Sequence, residues 1–147
     1  MRDLANDIAL VQLLAPADQT NVDVVSAWLD TQDFQSAVLI ANIGVITTPD
    51  ANSYLTPVLQ ESDLTTEASA TDVDTVDMIG AFTKIDAANE DNVIQKVGYI
   101  GNKRYVRVKF DFTDADGGIS ASLLAVTGIL SHAGSRPVTT PAAVAAT

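Results

Sequence analysis

The sequence contains one histidine, His132, and no cysteine, so an imidazole pair on a metal and a thiolate nucleophile are both excluded by composition. A serine hydrolase would need His132 beside a serine on a strained turn. No Gly-x-Ser-x-Gly is present, and Gly134-Ser135-Arg136 is not that motif. His132 instead reads as an edge residue just past an apolar strand. The run Asp72-Val73-Asp74-Thr75-Val76-Asp77 starts like a calcium loop. It fails the EF-hand pattern because Val76 takes the fifth ligand position and Asp77 replaces the turn glycine, so it reads as part of a solvated acidic loop. Gly98 and Gly101 are too few to cradle a phosphate, and the strand pattern resumes at Lys103 where a nucleotide loop would open a helix. The chain is expected to be no enzyme and to carry neither cofactor nor metal.

The remaining chemistry is positive charge. Five of the eight bases, Lys96, Lys103, Arg104, Arg107 and Lys109, fall within one short segment, while Arg2 is the only base before Lys84. From Lys103 to Phe112, Val106, Val108, Phe110 and Phe112 alternate with Lys103, Tyr105, Arg107, Lys109 and Asp111, a period that only a strand can use. Its outward face is expected to project Lys103, Tyr105, Arg107 and Lys109 together as a partner-binding patch. The rival reading pairs these bases with acids of the same chain.

The elements around this strand also read as β. Val, Ile and Thr are abundant, apolar runs are short, and turn chemistry recurs at Pro49-Asp50-Ala51-Asn52, Gly101-Asn102 and Asp114-Ala115-Asp116-Gly117-Gly118, the last two expected as hairpin turns. Further strands are expected over Val22 to Leu29, Ser36 to Ile43, Tyr54 to Gln60, Asp77 to Phe82, Val93 to Tyr99 and Ser120 to Leu130. The expected fold is all-β, a single sandwich or barrel, jelly-roll-like or immunoglobulin-like. Residues 1–16 are an N-terminal arm or first strand, 17–133 the sandwich and 134–147 a flexible tail. Within the arm, Leu4, Ile8, Val11 and Ala15 fit a helix stripe, whereas Ile8, Leu10, Gln12 and Leu14 fit a strand, with Pro16 as the stop. The arm reads as a docking element, with Arg2, Asp3, Leu4 and Ile8 as its contact residues. The polar stretch from Glu61 to Val76 reads as a long solvated loop.

A chain of 147 residues is the size of one domain, and 47% hydrophobic residues suffice for a core without staples. Nineteen acids against eight bases give a net charge of -11, which disfavours nucleic acid and anionic membranes as partners. No apolar run is long enough to span a bilayer, and the first residues carry acids where a signal peptide would carry bases. Ala37-Val38-Leu39-Ile40-Ala41 and Leu123-Leu124-Ala125-Val126 are apolar on both faces, so they are either covered on both sides or meet another subunit. With the tail, these strands predict an oligomer.

Met1-Arg2-Asp3-Leu4, Val11-Gln12-Leu13-Leu14-Ala15-Pro16, Leu59-Gln60-Glu61-Ser62-Asp63 and Val97-Gly98-Tyr99-Ile100-Gly101-Asn102-Lys103-Arg104-Tyr105-Val106-Arg107-Val108 together resemble a family of small tailed-phage proteins encoded beside the major capsid protein. The resemblance spans most of residues 1 to 130. It implies a capsid decoration or cement protein on the outer surface of the virion, assembled in the host cytoplasm, bridging major capsid protein subunits and commonly trimeric. Alternatives of other kinds are a head–tail or tail structural subunit, and a glycan-binding sandwich that would use an exposed Trp28 and the tyrosines.

Overall fold

The computed structural model describes residues 4–115, 117, 119, 121–134 and 140–147. Ten strands carry the fold: β1 (Ile8–Gln19), β2 (Val24–Val25), β3 (Leu29–Asp30), β4 (Ser36–Ile46), β5 (Ser53–Ser62), β6 (Thr71–Asp72), β7 (Met78–Ile79), β8 (Val93–Tyr99), β9 (Tyr105–Asp114) and β10 (Ser122–Ser131). They form two antiparallel sheets. Sheet one runs β1-β10-β4-β8-β7; sheet two runs β2-β9-β5-β6, with β3 also pairing β9. The sheets face each other as a sandwich and do not close into a barrel.

The core lies between the sheets because alternate residues of each strand point there. Leu39, Ile43, Val97, Leu124 and Leu130 of sheet one meet Leu29, Leu55, Val106, Val108 and Phe110 of sheet two. Ile85 closes one side by exchanging backbone hydrogen bonds with Leu55 at 3.1 and 2.9 Å. The packing requires a glycine at Gly128. A Cβ there would lie 2.8 and 2.9 Å from the two methyl carbons of Leu29 in the opposite sheet.

Four expectations are corrected. Residues 8–16 are not a docking arm outside the core: β1 pairs along β10, and Ala9, Val11 and Leu13 are buried, not the Ile8, Leu10, Gln12 and Leu14 set. Pro16 does not stop the strand. Proline lacks the N–H of a ladder, but β1 is an edge strand and the register shifts between Leu14 and Ala17, so a bulge absorbs it. Neither Gly101-Asn102 nor the Asp114 to Gly118 run makes a hairpin, since β8 and β10 lie in sheet one and β9 in sheet two. Asp116 and Gly118 themselves lie outside the described residues. Finally, the end of the tail has backbone partners: Trp28 and Val144 form an antiparallel bridge, and the Thr147 N–H donates to the Thr65 carbonyl at 3.0 Å.

Candidate interaction surfaces

The acid-rich loop between β5 and β6 builds the first surface. It does not lie free in solvent. A short 3-10 turn at Glu67–Ser69 folds it back over the outer side of sheet two, and Val73 is buried beside Leu59. Glu67 thereby reaches Arg107, whose Nη1 and Nη2 each donate to the carboxylate at 2.7 Å. The same guanidinium donates from Nε and Nη2 to Gln60 Oε1 at 3.1 and 2.9 Å. Its plane lies over the Trp28 ring, 4.3 Å from the centroid. Trp28 is 0% exposed and donates from Nε1 to the Thr65 carbonyl at 3.1 Å. Trp28 does not belong to the core between the sheets. With Arg107, Gln60 and Glu67 it makes a second, polar-rimmed core outside sheet two.

The expected basic patch is therefore already partnered within the chain. Arg107, expected to face outward, is only 2% exposed. Lys103 pairs with Asp63 at 2.6 Å, and Lys109 with Asp23 at 3.0 Å and Asp111 at 3.4 Å. Arg104 grips Asp30 with two hydrogen bonds of 3.0 and 2.7 Å. Tyr105 packs edge-on against Trp28, with ring centroids 6.5 Å apart. The carboxyls feel these partners. The hydrogen bond from Arg107 holds Glu67 below its usual range, and that from Lys103 does the same for Asp63. Of the arm residues, Leu4 is exposed ahead of β1 and Ile8 is half-buried opposite Ser131, while Arg2 and Asp3 lie outside the described residues. Among the described residues, Ile8 and the basic strand lie in different sheets, β1 in sheet one and β9 in sheet two.

The single histidine follows β10 in a left-handed conformation, φ 56°, and is exposed. Asp72 accepts from Gln60 Nε2 at 3.0 Å, and Asp74 caps the turn that starts at Thr75 by accepting from the Val76 N–H. No group of three or more metal-ligating side chains forms among the described residues. No helix among them is long and apolar enough to cross a membrane.

The second surface is the outer face of sheet one. The strand registers align Leu10, Ile129, Val38, Gly98 and Ile79 in one row across all five strands. The next row reads Gln12, Thr127, Ile40 and Lys96, and a third holds Ala125, Asn42 and Ile94. None of these positions bears a carboxylate, in a chain with nineteen acids. At the far end of β1, Asp18 stands opposite Leu123. Leu10, Ile79 and Ile94 are 54, 64 and 71% exposed. Gly98 forms the floor of a groove of about 530 Å³ walled by Val38, Ile40, Ile79, Ile100 and Ile129, and Ile79 leans over it. The two-faced apolar character of β4 and β10 was visible in the sequence; the alignment of their outer residues with Leu10 and Ile79 was not, because it depends on four strand registers.

These features define a two-sheet antiparallel sandwich with one paired, charge-rich face and one face whose central rows are largely apolar and carry no carboxylate. No protein-family model and no curated protein matches the sequence.

Proposed function

We propose that the protein is a structural virion subunit, a decoration or cement protein that seats the outer face of sheet one on the major capsid protein at the outside of a phage head. The observation that carries this reading is the apolar row from Leu10 to Ile79, which spans the whole sheet without a carboxylate. A contiguous apolar face of this kind is costly to leave in water and marks a protein contact. The partner on this face is the shell and not a second copy. Two chains of charge -11 repel each other, whereas a neutral or locally basic shell surface does not. The resemblance of the Gly98 to Val108 run to phage proteins encoded beside the capsid gene supports the same assignment. The glycan-binding alternative loses its aromatic platform, because Trp28 is buried.

The test is attachment to decoration-free heads assembled from the neighbouring major capsid protein. Wild-type protein should saturate sites on the outer shell, seen as ordered density by cryo-electron microscopy. The double variant Ile79→Glu/Ile94→Glu, which changes two exposed residues, should fold normally and lose occupancy. Density confined to the head–tail junction, or unchanged occupancy of the double variant, would overturn the assignment.

A further inference from the structure

The far end of the chain is held in an unusual way. The Trp28 N–H donates to the Val144 carbonyl at 2.7 Å, and the Val144 N–H returns a bond to the Trp28 carbonyl at 3.0 Å. Three residues on, the Thr147 N–H donates to the Thr65 carbonyl at 3.0 Å, and the Glu67 N–H donates to the Thr147 carbonyl at 3.3 Å. The segment thus lies in a cleft with the chain at Trp28 on one wall and residues 65–67 on the other. Thr65 serves both sides, since its carbonyl also accepts from the indole of Trp28. Four main-chain hydrogen bonds carry the contact, and the described side chains of the tail are small: Ala142, Ala143, Val144, Ala145 and Ala146. No residue from 140 to 147 is itself fully buried, yet Trp28 has no exposure at all.

This is the geometry by which an extended peptide is added to the edge of a sheet, with affinity from the backbone and selectivity from one or two shallow side-chain seats. We infer that the cleft between Trp28 and residues 65–67 is a peptide-docking site for residues 140–147 of a second copy of this chain, filled in the isolated protein by its own tail. The contacts are the same whichever copy supplies the tail. Only the entropy of closing the chain on itself, against the concentration of neighbours, selects between them. Crowded side by side on a particle, copies would exchange tails at little cost, as in a domain swap. Charge favours the segment as a donor. The sequence has no carboxylate side chain after Asp116, so this segment can approach a second copy of net charge -11 without adding acid-on-acid repulsion. The inference concerns contacts between copies and does not depend on which particle the sheet-one face meets.

Trp28 is the only tryptophan and therefore reports on its own cover. In the full chain, Val144→Pro removes the N–H that donates to Trp28, and Trp28 emission should shift to the red while the far-ultraviolet circular dichroism stays that of the wild type. A fluorescein-labelled peptide of residues 137–147 should then bind the variant saturably and shift the emission back, whereas the same peptide bearing proline at 144 should not bind. Wild-type protein should show concentration-dependent association by sedimentation that Val144→Pro abolishes. Val144→Asp, which brings a carboxylate beside the buried Trp28 of a chain of net charge -11, serves as the second variant if the proline disturbs folding. Unchanged Trp28 emission in both variants, or a labelled peptide that fails to bind, would overturn the docking site. Peptide binding with a strictly monomeric wild type would overturn the exchange between copies. Loss of shell attachment by the sheet-one variants has no bearing on any of these readings.

Discussion

Arg107 stacks its guanidinium on Trp28, 4.3 Å from the ring centroid, and the pair turns the outer side of sheet two into a second core. Arg107 is 2% exposed, so its charge is satisfied wholly by Gln60, Glu67 and the indole face. Replacing Arg107 with Ala strands Gln60 and Glu67 and removes the packing on Trp28, at a cost of about 2 to 4 kcal/mol. Arg107→Glu should cost more, because it sets a second carboxylate against Glu67. Urea titration followed by Trp28 fluorescence measures both, and a loss under 0.5 kcal/mol, roughly what a surface charge contributes, would contradict the burial.

Acid should loosen the same face. Glu67 and Asp63 titrate low because Arg107 and Lys103 hydrogen-bond their carboxylates, and Asp23 titrates low chiefly because the Phe112 N–H donates to it. Each pKa is lower folded than unfolded, so the stabilisation is complete above the ordinary carboxylate range. It drains away as pH falls below about 4 and through the depressed folded values. Glu67→Gln should flatten that acid limb in a series of urea midpoints against pH. An unaltered limb would mean that Glu67 does not contribute to it.

An alkaline limb should appear as well. Tyr99 is raised, first by burial and then by the 2.6 Å hydrogen bond its hydroxyl donates to Glu61. A group whose folded pKa is raised supports the fold below its unfolded pKa of about 10, and that support is lost as pH climbs further. Tyr99→Phe should lower stability at neutral pH by about 1 to 2 kcal/mol and remove much of the loss above pH 10. Thermal melts of both proteins from pH 8 to 11 compare the slopes directly.

Gly128→Ala places a methyl 2.8 Å from Leu29 and should destabilise by about 1 to 3 kcal/mol through overpacking. Leu29→Ala alone opens a cavity worth about 2 to 5 kcal/mol. The double variant should cost less than the sum of the two, because the added methyl enters the space that Leu29 vacates. Strict additivity in a double-mutant cycle would show that the two residues do not meet.

Removing residues 4–14 takes away most of an edge strand together with Ala9, Val11 and Leu13 from the core. The truncated protein should lose its cooperative thermal transition in circular dichroism. A retained transition near the wild-type midpoint would return this segment to the role of a detachable arm.

The architecture was legible where one strand carries its own signal. The alternation around Val106, Val108 and Phe110 and the doubly apolar β4 and β10 point to a sandwich from sequence alone. What could not be read depends on residues far apart in sequence. Arg107 falls on the polar phase of a strand and looks exposed until Glu67, forty positions earlier, is folded onto it. Trp28 looked exposed for the same reason, since its cover comes from Thr65 and Val144. The phase of β1 is hidden because the outward Leu10 is as apolar as the inward residues, and Leu14, beside a register shift, packs partly against the core. The smaller Ala9 and Val11 face inward, and volume gives no hint of direction where both faces of a strand are apolar.

The pairing of β1 with β10 joins the earliest strand to the latest, Ile8 to Ser131. On the ribosome, the first of these must wait, unpaired, until the last has cleared the exit tunnel. Sheet one is therefore completed only once β10 has emerged, on the slow timescale of folds dominated by distant pairings. While it waits, Leu10, Val11 and Leu13 offer an unpaired strand edge to any neighbouring nascent chain. Yield in the cell should therefore be limited by translation rate and chaperone supply more than by the stability of the finished sandwich.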